Sequence, residues 1–181
     1  MLQLISLLVE NKPGALLRVT GVLSARGYNI ESLTVARTLD PEVSRMTIVA
    51  EVDPAMRPLL IKQINRLINV IQAIDLSEQP AVCREMMLVR VQVSDEMRAA
   101  LLKEAEIFRA RVVDASPGAY TIEATGAVEK LDAFLEMMRT YGNIEVIRSG
   151  AMAMPRSSVA SRKAKQQPGA AQEEQSRKVT V

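Results

Sequence analysis

The stretch ENKPGALLRVTGVLSARGYNIESLTVA, Glu10 to Ala36, strings together a turn, a helix, a second turn and a strand. The first turn is Asn11-Lys12-Pro13-Gly14. The spacing then predicts a helix over 15–26, with Leu16, Val19, Val22 and Leu23 on one side. Gly27-Tyr28-Asn29 reads as a helix stop, and Ile30 to Arg37 as a strand. Pro13 suits a first helical position, where its missing N–H would be unpaired anyway. Gly14 has no side chain, so a ligand has close access to the backbone. The N–H groups of Gly14, Ala15 and Leu16 lack intrahelical partners and stand at the positive end of the helix. That is a ready site for a carboxylate or phosphate. Asn11 either caps the helix or offers its amide to a ligand, and Asn29 adds another donor and acceptor. Ordinary capping accounts for the same residues, and taken alone the local pattern favours it.

Working outward, Leu2 to Val9 reads as a buried strand and Arg45 to Val52 as another, with TLDPEVS a turn before it. Leu60, Ile64, Leu67 and Ile71 recur at helical spacing, which predicts a helix over 55–69, and Val70 to Leu76 closes as a strand. The order is β-α-β-β-α-β, and it then repeats. EMMLVRVQVS alternates Met87, Val89, Val91 and Val93 against Arg90 and Gln92. A helix through Met97, Leu101, Ala105 and Phe108 follows, then strands at Arg111–Ala115 and Tyr120–Thr125. Val128, Leu131, Leu135 and Met138 mark a fourth helix, and Asn143 to Arg148 a last strand. The fold class is α+β: two tandem ferredoxin-like units, residues 1–77 and 83–154, each a sheet with both helices on one face. The other face, at Leu4 and Leu8 for example, needs cover, and a second copy is the simplest source, so a homodimer is expected. Residues 155–181 have no periodicity and are expected to be a disordered tail.

Composition removes several function classes. The 181 residues include no histidine, so a Ser-His-Asp or Cys-His catalytic group is excluded. A lone cysteine, Cys83, forms neither an internal disulfide nor a multi-cysteine metal site. A reducing, cytoplasmic setting fits. MLQLISLLVEN lacks the basic start and small-residue cleavage site of a leader, and no apolar run reaches the ~20 residues of a membrane span. Aromatic residues are 3%, too few for a base-stacking platform. Net charge is +2, but the last 26 residues carry six basic and two acidic side chains, which leaves residues 1–155 at −2. The basic excess therefore does not point to a nucleic-acid face on the folded part. No phosphate loop of the GxxxxGK[ST] or GxGxxG kind is present, and catalytic residues, metal ligands and cofactor sites are expected to be absent.

VENKPGALLRVTGVLSARGYNIESLTVARTLDPEVSRMTIV resembles the N-terminal ACT domain of the small regulatory subunit of acetohydroxyacid synthase, also called acetolactate synthase. VCREMMLVRVQV and EIFRARVVDASPGAYTIEATGAVEKLDAFLEMMRTYGNIEVIRSGAMAM resemble that family's C-terminal domain. RGYNIESLTVA and SRMTIV are specific to this family, whereas the N-x-P-G-x-L turn is shared by ACT domains generally. The resemblance implies a non-catalytic subunit that binds a large catalytic subunit, the holder of thiamine diphosphate, Mg²⁺ and FAD. It also implies activation of that partner and feedback inhibition by valine at the interface of two ACT domains. Carried over residue by residue, one copy would give Asn11, Gly14, Ala15 and Leu16, and the other Asn29 and Ile30. Thr34, Val35 and Ala36 would relay the signal or touch the catalytic subunit. Valine, leucine and isoleucine differ by too little for the sequence to choose among them. The alternative reading is a free-standing amino-acid-sensing ACT protein in transcriptional regulation.

Overall fold

A computed structural model describes residues 1–157. Its first unit runs β1 (Leu2–Glu10), α1 (Ala15–Ser24), β2 (Ile30–Arg37), β3 (Val43–Glu51), α2 (Arg57–Ile64) and β4 (Val70–Asp75). The sheet is antiparallel, in the order β2-β3-β1-β4. Strand alternation sends Ile5, Leu7 and Val9 of the central β1 to one face, where α1 and α2 cover them. They pack with Val19, Leu23, Met46, Ile48, Leu60 and Ile64. With β1 paired on both sides, its apolar run is the pattern of an interior strand.

The second unit repeats the order with β5 (Ala81–Gln92), α3 (Arg98–Ile107), β6 (Arg111–Ser116), β7 (Ala119–Gly126), α4 (Val128–Arg139) and β8 (Ile144–Arg148). Its sheet order is β6-β7-β5-β8. The predicted inward face of β5, Met87, Val89, Val91 and Val93, is buried with Leu101, Ile122, Leu131 and Met138. Phe134, which the helix-four spacing did not single out, is fully buried against Phe108 at 5.3 Å between ring centres.

Four local expectations change. Pro13 lies in the turn rather than in the helix, which begins at Ala15 after Gly14 in the left-handed region (φ 84°). Leu16 points outward, 41% exposed, because the buried stripe of α1 is Ala15, Val19 and Leu23. The helix predicted over 55–69 is a 3₁₀ turn at Pro54–Met56 followed by α2, which stops at Ile64. Asn65 ends it there. Its amide donates to the carbonyls of Ile61 and Ala73, and its Oδ1 accepts from the Ala73 N–H, tying the helix end to β4. Finally, β5 starts at Ala81, inside the expected linker, and its first residues pair with a further strand, β9 (Met152–Pro155).

β9 also alters the expected cover of the first sheet. Part of the face away from the helices is covered from within the chain: Ala151 and Ala153 are buried, as are Ser6 and Thr47 of the sheet. Leu4 and Leu8 on that face are half-buried. The expected disordered tail falls almost wholly on residues 158–181, which lie outside the described residues. No helix among the described residues is long and apolar enough to cross a membrane.

Candidate functional site

The chain leaves β1 at Glu10 and must reverse into α1 within four residues. Gly14 makes that turn in a conformation that costs other L-residues roughly 1–2 kcal/mol. A side chain built there would meet nothing within 4 Å, so the glycine opens onto free space. The Ala15 N–H donates to the Lys12 carbonyl at 3.2 Å. Those of Gly14 and Leu16 find no acceptor among the described residues, so two of the three expected N–H groups face outward at the helix start.

Asn11 does not cap the helix, which has no side-chain cap. Its amide donates to the Pro41 carbonyl at 2.8 Å, and its Oδ1 accepts from the Ser44 hydroxyl at 3.1 Å. The Asn11 N–H donates to the Glu42 carbonyl. Asn11 thus fastens this loop to the β2–β3 turn, with its second amide proton unbonded among the described residues.

Three residues not singled out by the sequence complete the frame. Arg18 of α1 donates to Asn69 Oδ1 at 2.6 Å, and Asn69 donates to Glu10 Oε2 at 2.7 Å. The Asn69 carbonyl accepts from the Glu10 N–H. The Asn69 amide and the Lys12 ammonium hold the Glu10 carboxyl below its usual range. Arg18 lies one turn after Gly14, so helical spacing offered a signal for it. Asn69 carried none, because its partners come from β1 and α1.

Asn29 and Ile30 sit at the far end of α1. Ten helical residues span about 15 Å, so one chain does not bring them to Gly14. Gly27, in the left-handed region, ends the helix with a bond from the Tyr28 N–H to the Leu23 carbonyl. The Asn29 carbonyl accepts from the Glu51 N–H, and its amide donates to Glu31 Oε1. Ile30 opens β2, an edge strand with β3 on one side only. Between α1 and this edge lies a shallow groove that includes Leu17, Gly21, Asn29 and Ile30. Leu17 is 74% exposed there, an uncovered apolar surface beside an unpaired strand edge.

Thr34, Val35 and Ala36 separate. Alternation turns Val35 to the helix side of β2, and Thr34 and Ala36 to the opposite face. Thr34 donates its hydroxyl to the Ala151 carbonyl at 2.9 Å, so it is engaged within the chain. Burial and the carboxylates of Glu129 and Glu85 push the Cys83 thiol up, away from the reactive thiolate. Among the described residues no group of three or more His, Cys, Asp or Glu could hold a metal ion.

Two family models match the chain. One, described as the small subunit-like ACT domain of AHAS, covers residues 5–72, and the other, the small subunit of acetolactate synthase, covers 84–157. The chain is 46% identical over 156 residues to a probable acetolactate synthase small subunit of Methanothermobacter thermautotrophicus, covering 86% of this chain and 93% of that one. It is 44% identical over 157 residues to the acetolactate synthase isozyme 3 small subunit of Escherichia coli, covering 86% and 96%. The crystal structure of the acetolactate synthase small subunit from Thermotoga maritima is similar at a TM-score of 0.76 and 34% identity, covering 86% of this chain and 98% of that one.

Proposed function

The chain belongs to the acetolactate synthase small-subunit family, and we propose on that footing that it is a non-catalytic regulatory subunit. It would activate the large catalytic subunit, in the cytoplasm, and confer feedback inhibition by valine bound between two ACT domains. The chemistry, with thiamine diphosphate, Mg²⁺ and FAD, would belong wholly to that partner. Neither nucleic acid nor membrane enters this reading.

One observation carries the proposal. The two halves of the candidate site stand at opposite ends of α1, and the second half opens a strand with a free edge. A homodimer formed along that edge is the arrangement in which Gly14 of one copy meets Asn29 and Ile30 of the other. The parts then suit a zwitterion with a small apolar side chain. The carboxylate takes the Gly14 and Leu16 N–H groups at the positive end of α1. The ammonium takes the Asn29 side-chain oxygen, whose amide end is already held by Glu31. Leu16 and Ile30 receive the isopropyl group, while Ala15, buried and bonded through its N–H to the Lys12 carbonyl, fixes the helix start beneath it. The outward turn of Leu16 is consistent with this role, since a buried Leu16 would offer a ligand nothing.

Titration calorimetry tests the site. The intact protein is expected to bind valine, and Gly14→Asp, which puts a carboxylate where the ligand's own would lie, is expected to lose that binding with an unchanged circular dichroism spectrum. A folded Gly14→Asp protein that binds valine as the original does would refute the site.

A further inference from the structure

We propose that β9, with the Ser149–Ala151 segment leading into it, is a coupling strap. It carries the state of β2 in the first unit to the sheet of the second. Its effector half rests on the regulatory reading above; its mechanical half stands on the following contacts.

At one end the strap is gripped by hydroxyls of the first sheet. Thr34 donates to the Ala151 carbonyl at 2.9 Å, the Ala151 N–H donates to Ser32 Oγ at 3.3 Å, and the Ala153 N–H donates to Thr47 Oγ1 at 3.4 Å. Gly150, buried and with φ 80°, packs so closely that a Cβ there would lie 3.3 Å from both Ser32 Cβ and Thr34 Cγ2. At the other end a charged clamp fixes the strap to the second sheet. Glu85 of β5, 5% exposed, accepts from Arg148 through both oxygens, at 3.0 and 2.7 Å. It also accepts from the Gly150 N–H at 3.2 Å. Arg148 donates further to Asp132 of α4 at 2.7 Å. Ser149 exchanges bonds with the Met86 backbone, and β9 then pairs with Ala81–Arg84.

Ser32 and Thr34 thus reach Glu85 through one short segment with no slack. A bidentate carboxylate–guanidinium pair has a narrow geometry, and close-packed contacts do not deform gradually. A shift of β2 must therefore move the strap or break its bonds. The strap also meets the candidate site. Asn29 holds Glu31, and Glu31 lines a cleft between the two units together with Ser32, Glu85, Arg148 and Gly150. What separates a strap from inert packing is whether loosening one end is felt at the other.

Amide hydrogen exchange on the full chain reads this directly. Without ligand, Glu85→Gln is expected to speed exchange across residues 30–37 severalfold, although the bonds of Glu85 run to Arg148 and Gly150 and not to that strand. Thr47→Val, which keeps the side chain's size and removes the hydroxyl that accepts from the Ala153 N–H, is expected to speed exchange at residues 144–149. Unchanged exchange at both remote segments would overturn the proposal. With valine added, the original chain is expected to gain protection at residues 84–86 and 148–153, and Thr47→Val to bind valine equally while losing that remote protection. Remote protection that survives in Thr47→Val would also overturn it. Failure of the original chain to bind valine would instead refute the regulatory reading, and the ligand-free comparison would still decide the strap.

Discussion

Gly14 joins two requirements in one residue. The turn from β1 into α1 needs a positive φ, and a ligand over the helix start needs open space. Because space is available, substitutions there act through backbone strain and blockage rather than collision. Gly14→Ala should cost about 1 kcal/mol of stability, read from urea unfolding. Asn11 makes a contrasting case: Asn11→Ala removes two side-chain bonds to the β2–β3 turn and should cost about 1–2 kcal/mol. A cap role, as the sequence allowed, would leave that turn untouched. Hydrogen exchange at Glu42–Ser44 distinguishes the two, with faster exchange expected. The sequence marked both residues and could not assign Asn11's partners, because Pro41 and Ser44 lie some 30 positions away.

At the scale of elements, periodicity and turn signals were enough to place the eight strands and four helices of the two repeats, including β6, which is exposed along its whole length. They failed where long-range contacts decide. Leu67 and Ile71 continue the helical spacing of α2, yet Asn65 ends that helix by binding β4. β9 went unread because four residues, Met152–Pro155, carry too short an alternation, and its burial depends on the first unit's sheet. Its importance is testable by truncation. A chain ending at Ser157 should melt within a few degrees of the full chain. One ending at Ser149 leaves the face around Ser6 and Thr47 uncovered and should melt well below it. Equal melting temperatures would mean that β9 contributes nothing to the fold.

For the whole molecule, the account requires two copies to build each site. Mixing makes a sharp prediction. Gly14→Asp and Asn29→Ala each spoil both sites of their own dimers. A dimer with one copy of each combines both defects in one site and leaves the other intact. Remixing the two inactive variants should therefore restore part of the valine binding, measured by calorimetry. A site built within one chain would restore none. Coupling of such a site to a partner enzyme needs only about 1–3 kcal/mol to act as a switch.

The most direct measurement is an acetolactate synthase assay of the same organism's catalytic subunit, with and without this chain, across a valine titration. The account predicts that the chain raises the rate, that valine lowers it again in a saturable manner, and that Gly14→Asp keeps the stimulation but not the inhibition. A rate that neither rises with the chain nor falls with valine would contradict it.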